Sequence, residues 1–156
     1  LKLLQQEIAK LAVYAGARKL WTAEDVDAIF AALPEASSFA IINAMGKRNL
    51  AEVLGLLAAE KKKGTNVLPL CALITFKLRQ MLQYLELSGR GFDYKGILAE
   101  MKLNPYVAKN LQREARGFTT KSLTHALLDL AQLNIDLRKG GRDYARLEEI
   151  LLTLLS

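Results

Sequence analysis

Apolar residues recur every three or four positions along nearly the whole chain, the spacing of helices with one buried face. Leu4, Ile8, Leu11 and Ala15 open the series and Gly16 closes it. Thr22, followed by Glu24 and Asp25, reads as a cap with an acidic first turn. It predicts a second helix carrying Val26, Ile29, Phe30 and Leu33, broken at Pro34. Residues 34–38 form the best candidate boundary, with Ser37 or Ser38 capping a third helix that bears Phe39, Ile42 and Met45. Asn49 restarts the pattern, and Leu50, Val53, Leu54 and Leu57 lead to Lys61, Lys62, Lys63 and Gly64. Cations in a last turn complement the negative end of the helix dipole.

A long helix with Cys71, Ile74, Leu78, Met81, Leu82 and Leu85 is predicted next, stopped by Gly89 and Gly91. A short one follows, with Tyr94, Ile97, Leu98 and Met101. Asn104 and Pro105 supply a cap and a first-turn proline for its successor. Thr119 or Thr120 starts a leucine-rich helix (Leu123, Leu127, Leu130, Leu133, Leu137) that Gly140 and Gly141 end. The last helix begins near Asp143. No run alternates with period two, so no strand is predicted. The pattern therefore predicts an all-α helical bundle of about nine helices.

Composition narrows the class. In 156 residues, 51% are hydrophobic and 24% charged, which is globular rather than disordered. A chain of this size buries enough surface to fold without disulfide or metal staples. Cys71 is the only cysteine, so no disulfide framework exists and a buried, inert thiol in a reducing cytoplasm is predicted. No apolar stretch reaches the ~20 residues of a membrane span, and no secretion signal is visible. Leu1 opens the chain inside a helical pattern, which reads as a fragment of a longer protein. The net charge of +6 suits nucleic acid or acidic partners, but equally suits solvated lysines and arginines on helix faces.

Catalytic chemistry finds no constellation. There is no phosphate-cradling G-x-x-x-x-G-K-[ST] loop, no G-x-S-x-G elbow and no H-E-x-x-H. One histidine and one cysteine cannot make a zinc site. His125 reads as a partly exposed helical histidine, and the adjacent Glu148 and Glu149 as a solvated face. No cofactor and no enzymatic activity are expected.

Two basic clusters are candidates for nucleic-acid contact. The pair of helices around residues 102–104 has the layout of a helix-turn-helix. Lys109, Arg113 and Arg116 follow at i, i+4 and i+7 on one face. Helical hairpins with a solvated basic edge look the same. The second cluster is Arg138, Lys139, Arg142 and Arg146, around the glycine turn before the last helix. The helix dipole alone accounts for Arg138 and Lys139.

Several segments, in order, resemble the delta subunits of bacterial clamp loaders. They are residues 7–16 (EIAKLAVYAG), 22–26 (TAEDV), 38–44 (SFAIINA) and 79–82 (RQML). Further on come 105–109 (PYVAK), 114–118 (EARGF) and 136–140 (DLRKG). Leu78 stands where the family usually has phenylalanine, and Arg138 and Lys139 are slightly displaced from its closing pattern. The resemblance implies residues 1–34 as the remnant of an AAA+ helical lid and 37–156 as a helical collar that mediates oligomerisation. It implies a non-catalytic subunit of the DNA polymerase III holoenzyme, bacterial and cytoplasmic. Assembly with gamma/tau and delta-prime would run through the collar. The sliding clamp would be engaged by an N-terminal domain that is not in this chain, and primer-template DNA would lie near the basic turn.

The residues of the last helix agree with an assembly role. Leu147, Ile150, Leu151, Leu152, Leu154 and Leu155 cover more than one face. At least one of Leu152 and Leu155 is therefore expected on the surface of the isolated chain, as part of a subunit interface. A helical DNA-binding domain and a helical scaffold remain the competing readings.

Overall fold

The computed structural model describes residues 36–140 and 144–156. The two helices expected before residue 35, and Arg142 within the basic turn, lie outside the described residues. Seven helices are present among those described: α1 (Ala36–Gly46), α2 (Leu50–Lys63), α3 (Val67–Gly89), α4 (Tyr94–Met101), α5 (Pro105–Ala115), α6 (Thr120–Arg138) and α7 (Tyr144–Leu155). There is no strand among them, and the fold is an all-α bundle.

Local chemistry sets most boundaries. Asn49, Asn66, Asp93, Asn104 and Thr119 each cap a helix, their side chains accepting a first-turn backbone N–H. At Thr119 the bond is returned by Ser122, which accepts from the Thr119 N–H at 3.2 Å and closes a capping box. α1 corrects one expectation. Ala36 to Gly46 is helical, so Ser37 and Ser38 lie within the helix rather than capping it. Serine hydroxyls bond to backbone groups nearby in either position, so they mark the neighbourhood of a helix start and not its first residue.

Four C-termini close in the same way, that of α3 through Phe92 N–H to Leu87 O and Gly91 N–H to Ser88 O. After α1, Asn49 N–H reaches Ala44 O and Arg48 N–H reaches Met45 O; equivalent pairs follow α2 at Gly64 and Thr65, and α4 at Lys102 and Leu103. This is the Schellman closure, which requires a left-handed residue. Gly64 adopts it freely, whereas Arg48 (φ 56°) and Lys102 (φ 53°) do so against a steric cost of roughly 1 kcal/mol.

The long α3 is the axis of the bundle. It packs against α1, α4, α5 and, most extensively, α6; α6 in turn carries α7, which closes back onto α2. Leu70, Cys71, Ile74, Leu78, Met81 and Leu87 of α3 are all buried, with a helical repeat that faces neighbours on several sides. They merge with Ile41, Met45, Leu57, Ile97, Leu111, Leu123, Leu130, Leu147 and Leu151 into one core.

Candidate assembly surface and basic turn

The outer side of the last two helices holds the surface residues of most interest. On α6, Leu123, Ala126, Leu130, Leu133 and Leu137 face the core. At 100° per residue, Leu128, Ala131 and Ile135 then fall on the opposite side, and all three are exposed, Leu128 at 67% and Ile135 at 50%. The side of α6 that meets α7 carries Ser122, His125 and Asp129, which line a shallow cleft with Ile150 and Thr153. Leu128 and Ile135 are thus turned away from α7. On α7, Leu152 is 46% exposed while Leu147, Ile150, Leu151, Leu154 and Leu155 are buried.

Of the two leucines expected as interface residues, Leu152 is therefore on the surface. Leu155 is not; at 5% exposure it belongs to the core. Its position, four residues beyond Leu151 and one beyond Leu154, returns it to the buried side of the helix. The apolar period of α6 picks out its core stripe and does not by itself mark Leu128 and Ile135. Their signal was there in the angular offset from Leu123, Leu130 and Leu137.

The basic turn is divided. Arg138 and Lys139 are exposed, with Arg138 Nε donating to Asn134 Oδ1 at 3.2 Å and Lys139 capping α6. Arg146 lies one turn into α7 and is held by carboxylates, with Nη1 3.0 Å from Glu149 Oε2 and Nη2 3.8 Å from Asp129 Oδ1. It staples α7 to α6. The turn is tied to another part of the chain by Tyr144, whose hydroxyl donates to Thr65 O at 2.7 Å.

The helix-turn-helix candidate corresponds to α4 and α5, separated by Lys102, Leu103 and Asn104. Both helices pack on α3. Between them, Tyr94 Oη donates to Pro105 O at 3.1 Å. Lys109, Arg113 and Arg116 are exposed, as is Tyr106 at 77%.

The segment 114–118 has an architectural role. The Glu114 carboxylate pairs with the Lys77 ammonium across α3 and α5, both side chains largely buried. It also lies over Gly46, where an added Cβ would stand 2.7 Å from Glu114 Cδ. Arg48 reaches over from the end of α1, its guanidinium donating to Gly117 O and lying 5.1 Å above the Phe118 ring. Its Nη2 also reaches the carbonyls of Leu155 and Ser156 at 3.5 Å. One arginine thus joins the ends of α1, α5 and α7.

Elsewhere, Glu60 is buried and pairs with Lys63 at 3.3 Å. Burial pushes the Cys71 thiol up to about 12. It also raises the Tyr84 and Tyr144 phenols, with Glu60 adding to the effect at Tyr144. No group of three or more His, Cys, Asp or Glu comes together among the described residues. No described helix is long and apolar enough to cross a membrane.

These features define a class of module: an all-helical bundle whose surface presents apolar helix faces and a basic turn. Residues 35–155 match the family described as DNA polymerase III delta subunit, C-terminal domain, and the chain belongs to that family. It is 29% identical over 150 residues to DNA polymerase III subunit delta of Bacillus subtilis (strain 168), covering 96% of this chain and 43% of that protein. The solved structure of the Bacillus subtilis DNA clamp loader delta protein superposes with a TM-score of 0.65 at 27% identity. That match covers 99% of this chain and 46% of the other. The chain spans less than half the length of the relatives it matches.

Proposed function

We propose that this chain is the collar module of a clamp-loader delta subunit, serving bacterial DNA replication by holding subunits together and carrying out no chemistry itself. In this reading residues 37–156 form the collar and 1–34 the end of a helical lid. The collar joins gamma/tau and delta-prime, while a separate N-terminal domain engages the sliding clamp, in the cytoplasm. The observation that carries it is the exposure of Leu128, Ile135 and Leu152 on the two helices that close the bundle. Large aliphatic side chains on a regular helix face gain by being covered, at ~25 cal/mol per Å² of apolar surface. Stable interfaces concentrate such residues in a desolvated centre ringed by polar groups. Lys121, Gln132 and Lys139 flank Leu128 and Ile135 on α6, and Glu149 stands one turn from Leu152 on α7, all exposed and fit to ring these two faces.

Family membership supports the partners named, and the basic turn of Arg138, Lys139, Arg142 and Arg146 would face primer-template DNA in the assembled loader. The test is co-purification of the chain with gamma/tau and delta-prime subunits. Co-elution as one stoichiometric complex is the expected result, and separate elution of the chain at micromolar concentrations contradicts it.

A further inference from the structure

The fold brings together two basic segments that are far apart in the chain. The α2–α3 turn, with Lys61, Lys62 and Lys63, and the α6–α7 turn, with Arg138 and Lys139, lie at the same end of the bundle. Tyr144 links them through its bond to Thr65 O. A groove runs between them, lined by Lys61, Gly64, Thr65, Asn66, Val67 and Leu68 on one side and by Leu137, Gly140, Tyr144 and Ala145 on the other. Lys63 pairs with the buried Glu60 at 3.3 Å. Lys61, Lys62, Arg138 and Lys139 are exposed and have no carboxylate within ion-pair distance among the described residues.

We propose that these two turns form a single binding surface for the phosphodiester backbone of nucleic acid, with Lys61 and Lys62 as partners of Arg138 and Lys139. This rests on the replication reading for its biological setting but not for its chemistry. Lys61 lines the groove, Lys62 follows it, and Arg138 and Lys139 fall in sequence between its lining residues Leu137 and Gly140; exposed cations flanking a groove in this way match a chain of regularly spaced phosphates, which charge and polar groups alone can hold. An acidic peptide would need apolar anchors as well. None of the exposed large hydrophobic side chains, Phe92, Tyr106, Val107, Leu128, Ile135 and Leu152, is among the residues lining this groove. Among the described residues no exposed aromatic side chain lines it either, so base stacking is not provided for and recognition is independent of sequence.

The experiment is fluorescence anisotropy of a labelled DNA duplex of arbitrary sequence, titrated with the full chain from about 50 to 200 mM salt. Lys61→Ala/Lys62→Ala and Arg138→Ala/Lys139→Ala are compared with the unaltered chain. Each pair is expected to weaken binding about tenfold at the lowest salt and to flatten the logarithmic salt slope by roughly 1 to 2. Melting curves establish that each variant is folded, and the milder Lys61→Gln/Lys62→Gln replaces one that is not. Unaltered affinity and slope in the Lys61/Lys62 variant overturns the proposal, as does absence of DNA binding by the unaltered chain. Tighter binding of a labelled poly-glutamate peptide than of the duplex overturns it in favour of an acidic protein ligand. Co-purification with gamma/tau and delta-prime is expected to be unchanged in both variants, which separates this surface from the assembly reading.

Discussion

At the scale of single residues, close approach decides what can change. Gly46 and Gly55 are both helical, and alanine is intrinsically favoured over glycine in a helix by up to about 1 kcal/mol. Gly55 has open space where a Cβ would go. Gly46 has the Glu114 carboxylate there, and Lys77 restrains that carboxylate from moving aside. Gly55→Ala is therefore expected to stabilise the chain by about 0.5–1 kcal/mol, whereas Gly46→Ala destabilises it by about 1–3 kcal/mol. Urea unfolding of the two variants reads both signs.

Cys71 makes a prediction about pH. Its thiol is raised from 9.0 to about 12, so the folded state holds its proton more tightly than the unfolded state does. The stability contributed by that difference is complete below pH 9.0 and drains away as pH rises toward about 12. The raised Tyr84 and Tyr144 phenols act in the same direction at the upper end of the window. Unfolding midpoints measured across this range should fall, and Cys71→Ala should make the fall shallower between pH 9 and 10. An identical slope in the variant contradicts the assignment.

At the scale of elements, the helices from α2 onward were legible because their signals are local. Asn49, Asn104 and Thr119 announce caps, Gly64 and Gly140 announce ends, and the leucine period of α6 gives its buried stripe. What the period could not give was the partition of α7. Six apolar residues were visible, but only packing against α2 and α6 leaves Leu152 out and draws Leu155 in. Opposite consequences follow for these two residues. Leu152→Asp changes stability by no more than about 0.5 kcal/mol. Leu155→Asp places an unpartnered charge in the core and costs several kcal/mol. Thermal melting of the pair distinguishes them.

At the scale of the whole molecule, the resemblance read from short segments led to the right family, yet it did not explain them. Glu114, Gly117 and Phe118 have partners in Lys77 and Arg48, which lie 37 residues or more away in sequence, and no local pattern connects them. The basic end of the bundle was half visible for the same reason. Arg138 and Lys139 stand out as a cluster, while the helix dipole accounts for Lys61 and Lys62 until the fold sets the end of α2 beside the end of α6. Arg146 shows the converse, a basic residue near the turn whose charge is engaged by Asp129 and Glu149.

The central claim is that this bundle is an assembly module using the outward faces of its last helices. The most direct test is the affinity of the full chain for gamma/tau and delta-prime, compared with Leu128→Asp and Leu152→Asp, each first established as folded by its melting curve. If these faces form the interface, at least one variant loses more than tenfold in affinity, about 1.4 kcal/mol or more, because the new carboxylate would be desolvated without a partner. If both folded variants assemble with unaltered affinity, the outward faces of α6 and α7 are not the interface.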